Sequence, residues 1–362
     1  MSDFDFLTDK ADWVRAEWAP SPGVRAPADG VVIELSRFAL TANNLTYAKL
    51  GDSLGYWRYF PAPEPYGRVP VWGVARVVQS SVTGLAEGER VYGFLPISTR
   101  SVLTPALKGA SGFIDAAPHR AGLPPTYNEY RLIDRDPHFD ADDEDAFLAL
   151  RPLFSLGFFL ARWLEEKAYF GAERIVVSSA SSKAAAALAH EVGARVEKIG
   201  LTSDENVAAV TNMGLFDEAA PYSAIGDGRS LAMRRALFVD FAGDPAIADR
   251  VKQTMGAALI RTVAVGATRG DAEPFRTTGG AGGETEVFFA PAHILRLREQ
   301  WGADKLRERL AESSARFTKA AKPWLRFQIH AGREGIAKAY DEVARGRLAP
   351  NVAAILTAPH LP

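Results

Sequence analysis

The chain is predicted to be an α/β protein, with a β-rich N-terminal domain followed by a doubly wound parallel sheet. Three observations predict this. Residues 1 to about 130 carry strand-like runs broken by turn dipeptides. From Leu153 onward, helical and strand-like segments alternate at the spacing of βαβ units. Within the second stretch lies Arg174-Ile-Val-Val-Ser-Ser-Ala-Ser-Ser-Lys183, followed by Ala184-Ala-Ala-Ala-Leu-Ala-His190. That run has the layout of a dinucleotide-binding crossover: short buried strand, tight polar turn, helix start. The organisation expected is residues 1–150 as the β-rich domain, 151–287 as the parallel-sheet domain, and 288–362 as a closing segment that returns to the first.

In the first domain, Val31-Val-Ile-Glu-Leu-Ser-Arg-Phe-Ala-Leu40 has the content and partial alternation of a half-buried strand. Val69 to Val78 reads as another, and Thr83-Gly84 and Glu87-Gly88 mark turns. Strands joined by such turns suggest a small barrel or sandwich. In the second domain an apolar helix is expected over Leu153 to Phe170, a strand over Arg174 to Ser178 and a helix over Lys183 to Val192. Ala194 to Gly200 then reads as a strand, and Ser203 to Met213 as a helix capped by Ser203 or Asp204. A strand over Ala236 to Gly243 and a helix over Pro245 to Met255 follow, with Asp244 as cap and Pro245 at the first helical position. Ala258 to Gly266 is a strand, and Asp271 to Glu284 a Gly- and Thr-rich loop. Two helices are expected from Pro291 to Ala321, then a strand at Leu325 to His330, a helix at Glu334 to Arg345 and a strand at Asn351 to Thr357.

The net charge of −2 argues against nucleic acid and acidic membrane surfaces as partners. The chain has no cysteine, which excludes disulfides, thiolate-bound zinc and a cysteine nucleophile and fits the cytoplasm. The N-terminus is acidic and does not read as a signal peptide, and no apolar stretch is expected to span a membrane. The six histidines show no ligand spacing, so no metal site is expected.

In a dinucleotide site the pyrophosphate rests on a helix N-terminus, held by backbone N–H groups and the dipole. Glycines usually allow that approach, but here Ser179, Ser181 and Ser182 stand in their place. Serine hydroxyls can donate to phosphate oxygens. A lysine in the first turn opposes the macrodipole unless an anion binds, which points to Lys183 as a phosphate ligand. The alternative is a plain helix cap with Lys183 in water. About 20 residues on, where NAD sites place a carboxylate on the ribose, the chain reads Gly200-Leu-Thr-Ser203. Thr202 and Ser203 leave room for a 2′-phosphate and favour NADP, although Asp204 and Glu205 lie close by.

The order and spacing of these segments resemble the medium-chain dehydrogenase/reductase superfamily, and within it the zinc-free quinone oxidoreductases and enoyl reductases. The resemblance spans nearly the whole chain. It rests on Leu40-Thr-Ala-Asn-Asn-Leu-Thr-Tyr-Ala-Lys-Leu-Gly51, on Trp72 to Val78 with Gly84 to Gly93, on Val239-Asp-Phe-Ala-Gly243 and on Gly332 to Thr357. It implies a GroES-like β-rich catalytic domain, a Rossmann domain and NADP-dependent hydride transfer to an activated alkene or carbonyl held between the domains. Where the zinc enzymes carry Gly-His-Glu, this chain has Gly73-Val74-Ala75, so metal is not implied. Gly243 and Gly266 are implied to line the cofactor, and Tyr222 to hold the 2′-phosphate. The position of the family's phosphate-binding lysine falls near Glu205-Asn206, which assigns Asn206 to the adenosine end. Tyr47 is the implied proton donor, with Asn43 and Asn44 beside it to orient a carbonyl; a half-buried structural tyrosine is the alternative. The nearby aromatics suit a small apolar or aromatic substrate, and a homodimer is implied. A non-catalytic descendant that binds a ligand or partner on the same scaffold is the rival reading.

Overall fold

The computed structural model describes residues 3–227, 234–265 and 284–357. The chain divides into two compact units, Met1–Ala149 with Arg326–Pro362, and Leu150–Leu325.

In the first unit, strand Val31–Leu40 is the organiser. Its apolar residues are almost all buried. It pairs antiparallel with Pro70–Ser80, which pairs in turn with Arg90–Pro96. Close approach of the first two strands needs a glycine: a Cβ on Gly73 would lie 2.7 Å from Phe38 Cβ. The C-terminal strand Val352–Thr357 pairs antiparallel with Val31–Leu40, and Arg326–Ala331 lies parallel to it. These strands share a sheet of nine with the Glu129–Leu132 hairpin, while Asp3–Asp9 anchors a smaller sheet of three. Directly after Val31–Leu40 comes helix α1 (Ala42–Lys49).

Helix α2 (Glu144–Glu166) begins nine residues before the expected Leu153, and its residues from Leu150 onward belong to the second unit. The acidic run Asp140–Asp145 leads into this helix: Asp140 accepts the Asp142 N–H at 3.0 Å, and carboxylates suit a helix N-terminus. Ala141–Glu166 is long and apolar enough to cross a membrane, contrary to expectation, but 72% of its apolar window is buried in the fold, as in a core helix.

The parallel sheet comprises β1 (Arg174–Val177), β2 (Glu197–Thr202), β3 (Glu218–Pro221), β4 (Ala236–Asp240), β5 (Leu259–Val265) and β6 (Glu284–Phe288). Their spatial order is β3-β2-β1-β4-β5-β6, all pairs parallel. This is the dinucleotide-fold order. Helix α3 (Lys183–Val192) follows β1, α4 (Val207–Met213) follows β2, and α5 (Pro245–Met255) follows β4, capped by Asp244 as expected. Ser203 does not start a regular helix; a 3₁₀ turn over Asp204–Asn206 precedes α4.

Helices α6 (Ala290–Trp301) and α7 (Ala303–Ala321) belong to this unit, so the closing segment begins at Arg326 and not at residue 288. The reason is packing: Phe317 of α7 stacks on Phe154 of α2 at 5.4 Å, and Ser313 Oγ donates to Glu191 Oε1 of α3 at 2.6 Å.

Candidate functional site: a strand-end turn and a tyrosine cluster

In the parallel sheet β1 and β4 are neighbours, and the strand order reverses between them. Ligands of open α/β sheets bind at that switch point, beyond the carboxyl ends of the strands. Two turns meet there, and a buried clasp joins them. Ser178 Oγ donates to Asp240 Oδ1 at 2.7 Å and accepts the N–H groups of Phe241 at 2.9 Å and Ala242 at 3.0 Å. Asp240 Oδ1 also accepts from the N–H groups of Ala242 and Gly243, each at 3.0 Å. Gly243 takes φ +62°, a left-handed turn that suits glycine.

Ser179 holds φ +51°, the left-handed region where a glycine is usual. Its N–H donates to the Tyr222 hydroxyl at 2.7 Å. Ala180 N–H reaches across to Leu201 O of β2 at 3.0 Å. Gly200 makes room for this contact, since a Cβ there would lie 2.8 Å from Ala180 Cβ. Ser182 is the N-cap of α3, its Oγ accepting the Ala185 N–H at 3.2 Å. Thr202 Oγ1 donates to Ser181 Oγ at 3.2 Å.

The hydroxyls of Ser178, Ser181 and Ser182 therefore all meet protein groups. Ser181 Oγ, as acceptor, braces β2, and Ser182 Oγ, as acceptor, caps α3; the proton of each hydroxyl can still be donated to a phosphate oxygen. The backbone behaves differently. Among the described residues, no protein acceptor meets the N–H groups of Ser181 and Ala184. Both lie at the N-terminus of a ten-residue helix at the switch point, which is where two oxygens of an anion fit. Lys183 is buried and not displayed to solvent, and burial pushes its amine down to about 8.

The residues assigned to the adenosine end fare unevenly. Thr202 is 1% exposed, which places it under the turn and not on a ligand face. Asn206 Nδ2 donates to Ser203 Oγ at 2.9 Å, a local contact within the 3₁₀ turn. Ser223 Oγ donates to the Asp204 carboxylate at 2.6 Å. Tyr222, expected at a 2′-phosphate, has its hydroxyl beside the turn, accepting from Ser179 N–H. Gly266 lies outside the described residues. The Ser178–Asp240 clasp was not expected; the alignment of one polar residue at the end of each of two buried strands was its signal.

The β-rich unit holds Tyr47 in helix α1. Its ring packs on Tyr56 at 4.8 Å and edge-on to Phe94 at 5.1 Å, within a cluster that includes Leu50, Tyr59 and Phe60. Asn43 Nδ2 donates to the Tyr47 oxygen at 2.8 Å, and Trp72 Nε1 donates to it at 3.2 Å. Burial holds this phenol well above the ordinary range, so it stays neutral at any physiological pH. Asn44 is corrected from its expected role. It is 3% exposed, its carbonyl accepts the Thr41 N–H at 2.8 Å and its amide donates to Pro70 O at 3.0 Å. It fastens the start of α1 to the neighbouring strand, and Asn43 is the amide beside Tyr47.

Val74 and Ala75, where zinc relatives carry ligands, are both fully buried in the core. Among the described residues no group of His, Asp and Glu side chains is placed to hold a metal.

Comparison with known proteins agrees with this architecture. No curated protein sequence matches the chain. Solved structures do match. NADPH-bound CurA from Vibrio vulnificus superposes with a TM-score of 0.58 at 12% identity, over 94% of each chain. The yhdH oxidoreductase from Salmonella enterica, in complex with NADP, matches with a TM-score of 0.53 at 13% identity, over 99% of this chain and 100% of that one. A putative NADPH:quinone reductase from Mesorhizobium loti gives 0.58 at 14% identity, over 95% and 91%. The chain thus shares the fold of these oxidoreductases. At the level of sequence, the family described as Protein of unknown function (DUF2855) matches residues 38–349, and the chain belongs to that family.

Proposed function

We propose that this protein is a zinc-independent oxidoreductase that binds NADPH at the Ser178–Lys183 turn and reduces an activated alkene or carbonyl of a small apolar or aromatic molecule. The observation that carries the reading is the pair of N–H groups on Ser181 and Ala184, without a protein acceptor among the described residues, at a helix N-terminus beside the switch point of the sheet. The NADPH and NADP complexes of CurA and the yhdH oxidoreductase, which share the fold, support it. When bound, the cofactor supplies a hydride. The backbone of the turn binds its phosphates, the Ser178–Asp240 clasp keeps the two strand-end turns in register, and Tyr47 gives a proton to the reduced substrate.

Thermal denaturation with and without cofactor tests this. NADPH at 100 times its Kd should stabilise the fold by about 2.7 kcal/mol. Absence of any shift with NADPH, NADP, NADH and NAD would overturn the reading. It would leave the rival, a non-catalytic descendant, which is favoured by the serine oxygens that already accept from the protein and by the Cβ of Ser179 at a left-handed position.

A further inference from the structure

The last strand of a sheet presents N–H and C=O groups with which another chain can pair. Among the described residues, most strands at the sheet ends carry features that discourage this. Ala16–Ser21 contains Glu17 and Pro20, and Pro105–Leu107 has three residues and begins with proline. Tyr66–Gly67 has only two residues. In the parallel sheet β3 carries Glu218 and Pro221, and β6 carries Glu284 and Glu286. Proline lacks the donor, and charge disfavours a further strand.

Arg326–Ala331 has none of these features. It ends the sheet of nine and pairs, among the described residues, only with Val352–Thr357. It contains no proline and no carboxylate, and five of its six residues are exposed. Arg326 N–H donates to Asn351 O at 2.8 Å. Arg326, Gln328 and His330 therefore turn their backbone groups toward Val352–Thr357, and Phe327 and Ile329 turn theirs outward. Phe327 is 38% exposed and Ile329 51%, and their side chains share one face. The run Arg326-Phe-Gln-Ile-His330 is also a palindrome in character: basic, apolar, amide, apolar, basic.

We propose that Arg326–Ala331 is a contact between two copies of this chain, paired antiparallel about Gln328. A two-fold axis at Gln328 sets Phe327 opposite Ile329 of the second copy, twice, so each exposed apolar side chain meets another. The outward backbone groups of these two residues then bond to their counterparts, as a hydrogen-bonded antiparallel pair requires. A strand of another protein would need a matching pattern, whereas a second copy supplies it by symmetry. Six residues a side is fewer than the roughly 20–30 of a standard interface, so the dimer should be weak and reversible. Pairing at this edge requires no cofactor and stands whether or not the turn binds NADPH.

Sedimentation equilibrium of the full-length protein tests this. Dimer should accumulate as the concentration rises through the micromolar range. Ile329→Lys should weaken it by at least about tenfold, because both apolar cross-strand pairs lose a member. Its melting temperature should match the parent's, since Ile329 is half exposed in the single chain. Cross-linking gives a second readout. The chain has no cysteine, so Gln328→Cys introduces the only thiol. At the two-fold axis the two copies of that position form a non-hydrogen-bonded pair about 4.5 Å apart at Cα, within disulfide range. Oxidation should cross-link Gln328→Cys far faster than Ala106→Cys, an exposed position on the proline-bearing edge. A chain that stays monomeric throughout overturns the proposal and leaves this edge to a strand of another protein. A dimer that Ile329→Lys leaves intact overturns it too, as does equal cross-linking of the two thiol variants.

Discussion

At the Ser178–Lys183 turn, the Ser181 and Ser182 oxygens accept from protein groups, and the backbone N–H groups of Ser181 and Ala184 meet no protein acceptor among the described residues. In the Tyr47 cluster the backbone is satisfied within a helix and the polar contacts run between side chains. Both regions are rich in hydroxyls, but one uses their oxygens to brace a turn and cap a helix, and the other buries a phenol whose oxygen accepts from two side chains. The difference teaches that a polar residue at a motif position is not thereby a ligand. Counting which donors and acceptors already have partners separates scaffold from site.

The largest effect should come from the Tyr47 hydroxyl. Tyr47→Phe keeps the ring and its packing on Tyr56 and Phe94 but removes the hydroxyl. General acid catalysis typically contributes about 100-fold or more, so turnover of a ketone substrate should fall by at least roughly that factor. The thermal shift with NADPH should be unchanged. Full turnover in Tyr47→Phe would erase the contrast between the regions and make this tyrosine a core residue.

The clasp comes next. Ser178→Ala removes the donor to Asp240 and the acceptor for Phe241 N–H, both in a buried setting. Ala242 and Gly243 retain Asp240 as acceptor, so the loss is partial. Unfolding in urea should show about 2 kcal/mol of lost stability, as expected when a buried polar group loses its partner. A cost under about 0.5 kcal/mol would place Ser178 among ordinary surface positions. NADPH affinity should fall as well, because the clasp aligns the two turns.

Lys183 gives a pH-dependent prediction. Burial lowers its amine from an ordinary 10.5 to about 8 in the fold. Between those values the unfolded chain holds the proton and the folded chain does not, so stability rises with pH across the window. The slope is at most about 1.4 kcal/mol per pH unit from this group. Below about pH 8 the full penalty of burying the charge is present. Lys183→Met should therefore be more stable than the parent at pH 7 and lose the rise between pH 8 and 10.5. Parallel stability profiles for mutant and parent would show that the amine keeps its ordinary affinity for protons.

Much of this was legible in the sequence. Apolar runs alternating with helical periods identify the parallel sheet, and Asp244-Pro245 marks the start of α5 because capping and a fixed φ act locally. The strand β6 was hidden, since Glu284-Thr-Glu-Val-Phe288 has little apolar content and follows a glycine-rich stretch. Helix α1 was hidden for a related reason: Asn43, Asn44 and Thr46 weaken its apolar pattern. The Thr41-x-x-Asn44 spacing was the available signal, a side chain three residues on that caps the preceding N–H. Of the two amides expected beside Tyr47, Asn43 and Asn44, only Asn43 touches it. The difference between neighbouring residues on a helix is about 100° of rotation, which sequence fixes only once the helix is known. The partners of the serine hydroxyls lie on β2 and β4, distant along the chain, so no local pattern could assign them.

The smallest effect belongs to Ser179. A side chain at φ +51° costs more than a glycine would, by roughly 1 kcal/mol, although glycine also gives the unfolded chain more freedom. Ser179→Gly should thus raise stability slightly, by about 0.5 kcal/mol. Its bond to Tyr222 is made through the backbone N–H and survives the substitution. If the turn binds phosphate with its backbone, NADPH affinity should hold or improve in this variant, because nothing that touches the anion is removed. If instead the Ser179 hydroxyl is a phosphate ligand, affinity should fall by about tenfold while stability rises. A titration of NADPH against the two proteins decides between backbone and hydroxyl recognition at the one serine of the turn for which the fold shows no side-chain partner among the described residues.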